Sequence, residues 1–585
     1  MFASCLRAKA HVISSGFLRH FSTDCFIVRH SVEIRSCEEK MPCIRYFQGG
    51  HTVILLIFYL ASISIKTSSA FIPSPNSIAR YKSRHVCISH SSAIKQTSGR
   101  INKALESTVG CMLSPEAGGK LATLGLDSYW LTRIAFLRAL GLVCFTAFLV
   151  AYRQNKALIG DNGISPARIR LEKAEKRGVI IRERERDRME NFGKKNYSKP
   201  VSIILSFLFK FPFVDFDRVA GSVYKWWTNR DGMDRPLTTV LWLARDRSHL
   251  NGWLDGIALS GLAMSLFLLI QGAGNVPLLF GLWICQHSLM AIGGPFYGYG
   301  WEPQLAELVF HSLFLVPLCS ISRIPAHFPT PKIVVWTIRW HLFRIMIGAG
   351  LIKFRSSDKK WGLKHLTTMN FFYETQPVPN VLTRTFHRMP ETWHKFEVLV
   401  NHFVEVIAPW LFIVPFLPRS WRIFGGLLQI NFQSVLILSG NLSFLNWLTI
   451  VPSIMCLDDA FLAKFFGSSV AASASIAAYT EITARQLTAA GMFRQVIPIM
   501  FGVLVAKLSI PVVKNLSSSK QIMNGSFDPL RLINTYGAFG TVSEERIELI
   551  IESAESIYGP WKEYNFNVKP GDVMKRPKWI TPYRK

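Results

Sequence analysis

The chain has 585 residues, of which 49% are hydrophobic and 18% charged, and its mean hydropathy is +0.23. Those values exclude a disordered chain, a collagen and a small disulfide scaffold, and with 42 Phe, 16 Trp and 15 Tyr they point to apolar surface facing lipid. The net charge of +29 sits mostly in a leader and in loops between apolar runs; without a zinc-finger, RNA-recognition or helix-turn-helix signature it predicts targeting and membrane topology, not nucleic acid.

Six of the ten cysteines (Cys5, Cys25, Cys37, Cys43, Cys87 and Cys111) lie in the first 111 residues, and Cys144, Cys285, Cys319 and Cys456 fall in or beside apolar runs. No CxxC is present, so neither a zinc site nor a disulfide framework is read from them.

From Met41 the sequence has the three parts of a secretory signal: Arg45, the apolar stretch Val53–Ile65 and the small-residue context Ser68-Ser69-Ala70. Thirteen helical residues span about 20 Å, short of a bilayer core of about 30 Å. Residues 1–40 are odd ahead of such a signal, and Met41 is the expected start. Phe71–Leu105 carries six Lys/Arg and no Asp or Glu. That fits the transit part of a two-part plastid presequence, and equally a disordered basic tail. The leader is therefore assigned 1–110, with a signal at about 41–70 and a basic, transit-like segment at 71–105.

Nine apolar runs follow: Ile134–Tyr152, Trp253–Gln271, Val276–Gly293, Leu305–Ile321, Ile333–Phe354, Val398–Phe416, Ile423–Leu438, Leu442–Cys456 and Val496–Val513. Several are short enough to be re-entrant, so five to nine spans are expected. The loop Ala151–Leu250, with 21 Lys/Arg against 12 Asp/Glu, is too long to fix orientation. Within it, Arg182–Glu190 alternates in charge sign, as a solvated helix or a disordered insert does. Ala471–Ala490 reads as a flexible linker. Beyond Gly525, Ser543–Ser556 reads as a Ser-capped helix and Trp561–Val568 as a strand. The expected fold is an all-α polytopic membrane protein with a smaller C-terminal α+β soluble module.

Charged groups inside lipid spans are costly unless paired. Arg339, His341 and Arg344 share one apolar run, while Glu397, Asn401 and Glu405 recur every four residues and so share a helix face. Arg344 is expected to pair with Glu397 or Glu405. His394, Glu397, His402 and Glu405 have metal-site residue types but not HExxH spacing, which favours a structural pairing network over metal or acid–base chemistry. Gly348-Ala349-Gly350 invites close approach of another helix. The long loop Asp358–Arg388, stiffened by Pro377 and Pro379 behind Phe371, Phe372 and Tyr373, suits protein contact or packing on the membrane surface. Four N-x-S sequons (Asn196, Asn441, Asn515 and Asn524) offer a glycan readout of topology.

The stretches Tyr129–Ala167, Phe343–Trp361 (FRIMIGAGLIKFRSSDKKW), Thr368–Asn380 (TMNFFYETQPVPN), Trp393–Glu405 (WHKFEVLVNHFVE), Ser439–Ser453 (SGNLSFLNWLTIVPS), Ile533–Val542 (INTYGAFGTV) and Arg576–Tyr583 (RPKWITPY) together resemble the lipase maturation factor family. The resemblance runs from Tyr129 to the end. It implies a membrane domain at 129–515 and a C-terminal lumenal module at 523–585 that contacts the client. The whole would be a multi-pass endoplasmic reticulum protein with chaperone-like action on secreted lipases or related hydrolases. A plastid membrane is the alternative location.

Family-motif residues without an assigned role are Arg344, Gly348, Gly350, Asn370, Tyr373, Glu374, Gln376, Pro377, Pro379, Asn380, Glu397, Asn401, His402, Glu405, Asn441 and Asn446. The resemblance assigns no catalytic, cofactor-binding or metal-binding residue. Three departures stand out: Glu302 where the family has Asp, the plastid-like leader, and an end at Lys585 just after RPKWITPY, so the module is expected to be incomplete. Alternative functions are a membrane enzyme distantly related to vitamin K-dependent carboxylase-type modules, or a transporter. No internal repeat of the kind transporters carry is found, and the chain offers no nucleotide loop or redox CxxC.

Overall fold

The structure, a computed structural model, describes residues 5–9, 127–176, 238–244, 246, 248–325, 328–483, 489–528, 530–554, 560–572 and 574–583. The signal at 41–70, the basic segment at 71–105, the charged run at 182–190 and the sequon at Asn196 lie outside them.

Helix α1 (Trp130–Ile159) is thirty residues long, about 45 Å, and runs antiparallel to α2 (Asn251–Gln271). The two backbones touch at Gly141, where a Cβ would sit 2.5 Å from the Leu269 nitrogen. Small residues permit that approach in lipid-facing bundles. The start of α1 is capped from far along the chain. Asp459 accepts hydrogen bonds from the backbone N–H groups of Trp130, Leu131 and Thr132 at 2.8, 2.8 and 3.2 Å. A carboxylate here satisfies orphan donors and faces the positive end of the helix dipole.

The body continues with α3 (Val276–Ile292), α4 (Trp301–Ser312) and α5 (Lys332–Arg355). The short helices α6 (Thr368–Thr375) and α7 (Thr383–His387) precede α8 (Glu391–His402). Helix α8 runs on through a π-turn, Phe403–Ile407, and one further turn, Trp410–Ile413. Then come α9 (Arg419–Ser439), α10 (Leu445–Ser453), α11 (Ser468–Thr483) and α12 (Ala489–Ser517). Phe136, Leu254, Leu282, Leu305, Leu342, Leu448 and Val505 represent α1–α5, α10 and α12 in one buried apolar cluster. Outward-facing apolar side chains such as Trp421 and Phe424 on α9, and Ile497, Met500 and Val503 on α12, are exposed, as a lipid-facing surface requires.

Among the described residues four helical segments are long and apolar enough to cross a membrane: Trp130–Ile159, Asn251–Gln271, Glu391–Ile413 and Gln495–Ser517. The expected five to nine are not confirmed among these residues, for physical reasons. The run Leu305–Ile321 leaves the helix at Ser312 and is buried through α4. Helix α5 has the length, but Arg339, His341, Arg344 and Lys353 make it an interior polar helix. Val276–Ile292 and Leu445–Cys456 are apolar but shorter.

Three other expectations are corrected. The described part of Ala471–Ala490 is no flexible linker: α11 covers it as far as Thr483, and Ala474 and Ala478 are buried with Trp130 and Leu131, as alanine's helix propensity allows. The loop Asp358–Arg388 is extended only around Pro377–Asn380; its aromatics lie on α6. Ser543–Ser556 is not a helix. Its described part is extended and includes strand Ile550–Ala554, where the paired Ile residues favour a pleated strand. The short strands β1 (Cys5–Lys9), β2 (Ile550–Ala554) and β3 (Lys562–Glu563) pair antiparallel in that order, and β3 covers only two residues of the strand expected over Trp561–Val568.

Candidate functional site

Arg344 does not pair with Glu397 or Glu405. Its guanidinium donates to Glu307 on α4, and the expected partners lie on α8, where other groups engage them. Glu307 is fully buried, and its two oxygens serve different parts of the chain. Oε1 takes Arg344 and, at 2.9 Å, His341 Nδ1, both from α5. Oε2 accepts from the Asn534 backbone N–H at 3.0 Å, the Asn534 side-chain amide at 2.8 Å and the Tyr536 hydroxyl at 2.6 Å. Arg344 completes the ring by donating to the Asn534 carbonyl at 2.6 Å. One carboxylate thus ties two helices of the body to the first part of the C-terminal segment. A buried charge is tolerable only with such a set of donors.

Gly348 lies one turn beyond Arg344 on α5. The neighbour it admits is not a helix: a Cβ there would sit 2.2 Å from the Tyr536 carbonyl oxygen. Gly350 does admit a helix, since its Cβ would meet Val406 and Glu405 of the π-turn at 2.5 and 3.1 Å.

On the other face of α5, Lys353 donates to both Glu405 oxygens at 2.5 and 2.6 Å, and Asn401 donates to Glu405 at 3.1 Å. Lys353 also lies 4.8 Å from the centre of the Trp361 ring, and His402 Nε2 donates to the Trp361 carbonyl at 2.8 Å. Glu397 is separate: it accepts from the Tyr373 hydroxyl at 2.9 Å and the Trp393 indole at 2.8 Å. The acidic stripe on α8 therefore serves two distinct clusters. His394 belongs to the outer one, between Asn370 Oδ1 at 2.8 Å and the Phe386 carbonyl at 3.1 Å. Burial, with Glu397 beside it, pushes the Tyr373 phenol above its usual range. No group of three or more His, Cys, Asp or Glu suited to a metal ion occurs among the described residues.

Further motif residues hold the loop 376–380 to the end of α9 and, through Asn441, to the module. Gln376 donates to Thr383 Oγ1 at 3.1 Å and approaches the Ser439 carbonyl at 3.2 Å; Asn380 donates to the Leu438 carbonyl at 3.0 Å. Asn441 holds both sides at once. Its amide donates to the carbonyls of Pro379 at 3.1 Å and Lys578 at 2.8 Å, while its oxygen accepts from the Ile580 and Thr581 N–H groups at 3.0 and 3.2 Å. Arg546 reaches back to the carbonyls of Glu374, Gln376 and Pro377 at 2.5, 2.7 and 3.4 Å. Asn446 is buried within α10.

These contacts change the reading of the sequons. Asn441 is 2% exposed with its amide fully engaged. Asn515 is buried and exchanges two hydrogen bonds with Ile522. Neither can carry a glycan in this fold, whereas Asn524 is exposed.

Sequence reasoning missed Lys353, Asn534, Tyr536, Arg546 and Asp459, and gave Glu307 no partner. An acidic residue inside the apolar run Leu305–Ile321 was the available signal for Glu307. Nothing local marks the roles of Asn534 or Arg546 in joining the module to the body, since Glu307 and the carbonyls of the loop 374–377 are more than 150 positions away.

Comparison with known proteins adds the relationship. The family model for the lipase maturation factor transmembrane domain matches residues 131–192 and 218–464, and that for the lipase maturation factor C-terminal domain matches residues 532–585. Lipase maturation factor 1 of Mus musculus is 43% identical over 474 residues, 79% of this chain and 73% of that protein. The Homo sapiens protein of the same name is 41% identical over 80% of this chain and 74% of its own length. Lipase maturation factor 2 of Xenopus laevis is 30% identical over 345 residues, 58% of this chain and 41% of that protein. No solved structure gives a significant match.

Proposed function

The chain belongs to the lipase maturation factor family, and from that membership we propose that it is a multi-pass endoplasmic reticulum membrane protein that assists folding and assembly of lipases or related secreted hydrolases. It does so without bond-making chemistry of its own. The observation that carries this reading is the extended likeness to lipase maturation factor 1, over four-fifths of the chain in the human protein.

The use made of the polar residues supports it. Arg344, Glu405, Asn401, Gln376, Asn380 and Asn441 each hydrogen-bond to other residues of the chain. They are positioned as struts, and the surface that Gln376, Asn380 and Asn441 hold in place, the loop 376–380 beside residues 546 and 578–581, is the part offered to a client. The division into a membrane domain at 129–515 and a module at 523–585 belongs to the same proposal, as does entry to the secretory route through the signal at 41–70.

Deletion of the gene tests the function. Secreted lipases are then expected to lose activity per unit mass without loss of message, and the re-expressed full chain restores it. Unchanged specific activity across the secreted hydrolases overturns the proposal. A fluorescent fusion of residues 41–110 separates reticular from plastid delivery.

A further inference from the structure

We propose that Glu307, Arg344 and the Gly348 face of α5 form a docking socket for the chain's own segment Ile533–Gly537, and that occupancy of this socket sets the position from which the C-terminal module acts on a client. The second half rests on the maturation function proposed above; the first stands on geometry alone.

The carboxylate of Glu307 is the main argument. One of its oxygens is satisfied by α5, while the partners of the other all come from Asn534 and Tyr536. Withdrawal of the segment leaves half of a fully buried carboxylate without donors, a state disfavoured strongly in an apolar interior. It also strips Arg344 of the Asn534 carbonyl. The body is thus polar at this point in a way that only the segment completes.

Gly348 is the second, independent argument. It sits mid-helix, where Ala is the better helix former, yet a Cβ would lie 2.2 Å from the Tyr536 carbonyl oxygen, and backbone on both sides leaves nothing flexible to give. Gln521, just ahead of the segment, donates to the Gly348 carbonyl at 2.9 Å. Ile533 and Tyr536 join the apolar cluster of the body, so the site is polar at its centre and apolar around it.

The rest of the module is held farther along the chain, among other contacts by Asp358 to the Val542 N–H, Arg546 to the loop 374–377 and Asn441 to Ile580 and Thr581. The docked segment lies before all of these in the chain and fixes where the rest of the module starts. A displaced segment would leave the module tethered at its far end but out of register with the loop 376–380.

The test is Gly348→Ala in the full chain, with Gly256→Ala as control, because a Cβ at Gly256 meets nothing within 4 Å. Gly348→Ala favours α5 as a helix while evicting the segment. In detergent-purified protein, trypsin cleavage within residues 520–546 is expected to accelerate at least tenfold, a shift of about 1.4 kcal/mol in the docked equilibrium, and restored lipase activity is expected to fall. Gly256→Ala leaves both unchanged. Wild-type protection in Gly348→Ala overturns the socket; lost protection with undiminished lipase activity overturns its role in positioning. Should Gly348→Ala not accumulate, Asn534→Ala, which leaves the body's own residues intact, takes its place with the same two outcomes. If the wild-type chain restores no lipase, the maturation reading fails and the cleavage rates still decide docking.

Discussion

Lys353 and Glu405 form a buried ion pair, with Nζ 2.5 and 2.6 Å from the two carboxylate oxygens, that joins α5 to the π-turn of α8. Asn401 donates to the same carboxylate. Removing one partner of such a pair strands the other charge, which costs about 3–5 kcal/mol, whereas replacing both with apolar groups is often close to neutral. Lys353→Met and Glu405→Leu are each expected to lower the unfolding midpoint in detergent strongly. The double variant should recover most of the loss, and additive single effects would argue against the pair.

Asp459 caps α1 with three backbone donors and the Ser128 hydroxyl, the last at 2.7 Å. Asp459→Ala is expected to destabilise the chain by about 1–2 kcal/mol, the usual cost of losing a cap. Hydrogen exchange at Trp130–Thr132 should rise more than exchange in α5. Equal changes in the two helices would show that the carboxylate does not act through α1.

Asn441 should carry no glycan despite its sequon, since its amide is committed to Pro379 and Lys578. Endoglycosidase treatment is expected to shift wild-type chain and Asn441→Gln equally. The same substitution should loosen the end of the module, read as faster cleavage near Lys578. A glycan found on Asn441 would contradict the fold at this loop.

The module's hold on Asp358 should be insensitive to pH over the secretory range. Burial alone would raise this carboxyl, but the Val542 N–H and Lys360 outweigh it and keep it below its ordinary 3.8. A depressed folded-state value means the stabilisation is fully present above the unfolded pKa and fades as pH falls through the folded one. Proteolytic protection around Val542 should therefore be flat from about pH 7 to 5 and decline only below about pH 4. Asp358→Asn should remove that acid-dependent step, while a decline near pH 6 would assign the contact to a different group.

Much of the architecture is legible because lipid acts locally. A span must be apolar over its own length and satisfy its own backbone, so α1, α2 and the apolar parts of α8 and α12 can be read from short windows of sequence. The motif residues are also visible one by one, as polar or small groups set in apolar surroundings. Where local propensity misled, a distant partner was responsible: Ser543–Ser556 has a capped-helix pattern, but its isoleucines Ile550 and Ile551 pair with β1, and the described part of Ala471–Ala490 is helix because α1 offers an apolar face to pack on.

By itself the sequence determined that this is a helical membrane chain, and which family motifs it carries, since hydropathy and residue type are properties of neighbouring positions. Pairing was decided only by the tertiary structure. Arg344 could reach several carboxylates of like chemistry, and its choice of Glu307 over Glu405 follows from which helices pack together and from the insertion of Asn534 between them. Electrostatic attraction states that a buried charge must find a partner; only the folded geometry places that partner within 3 Å.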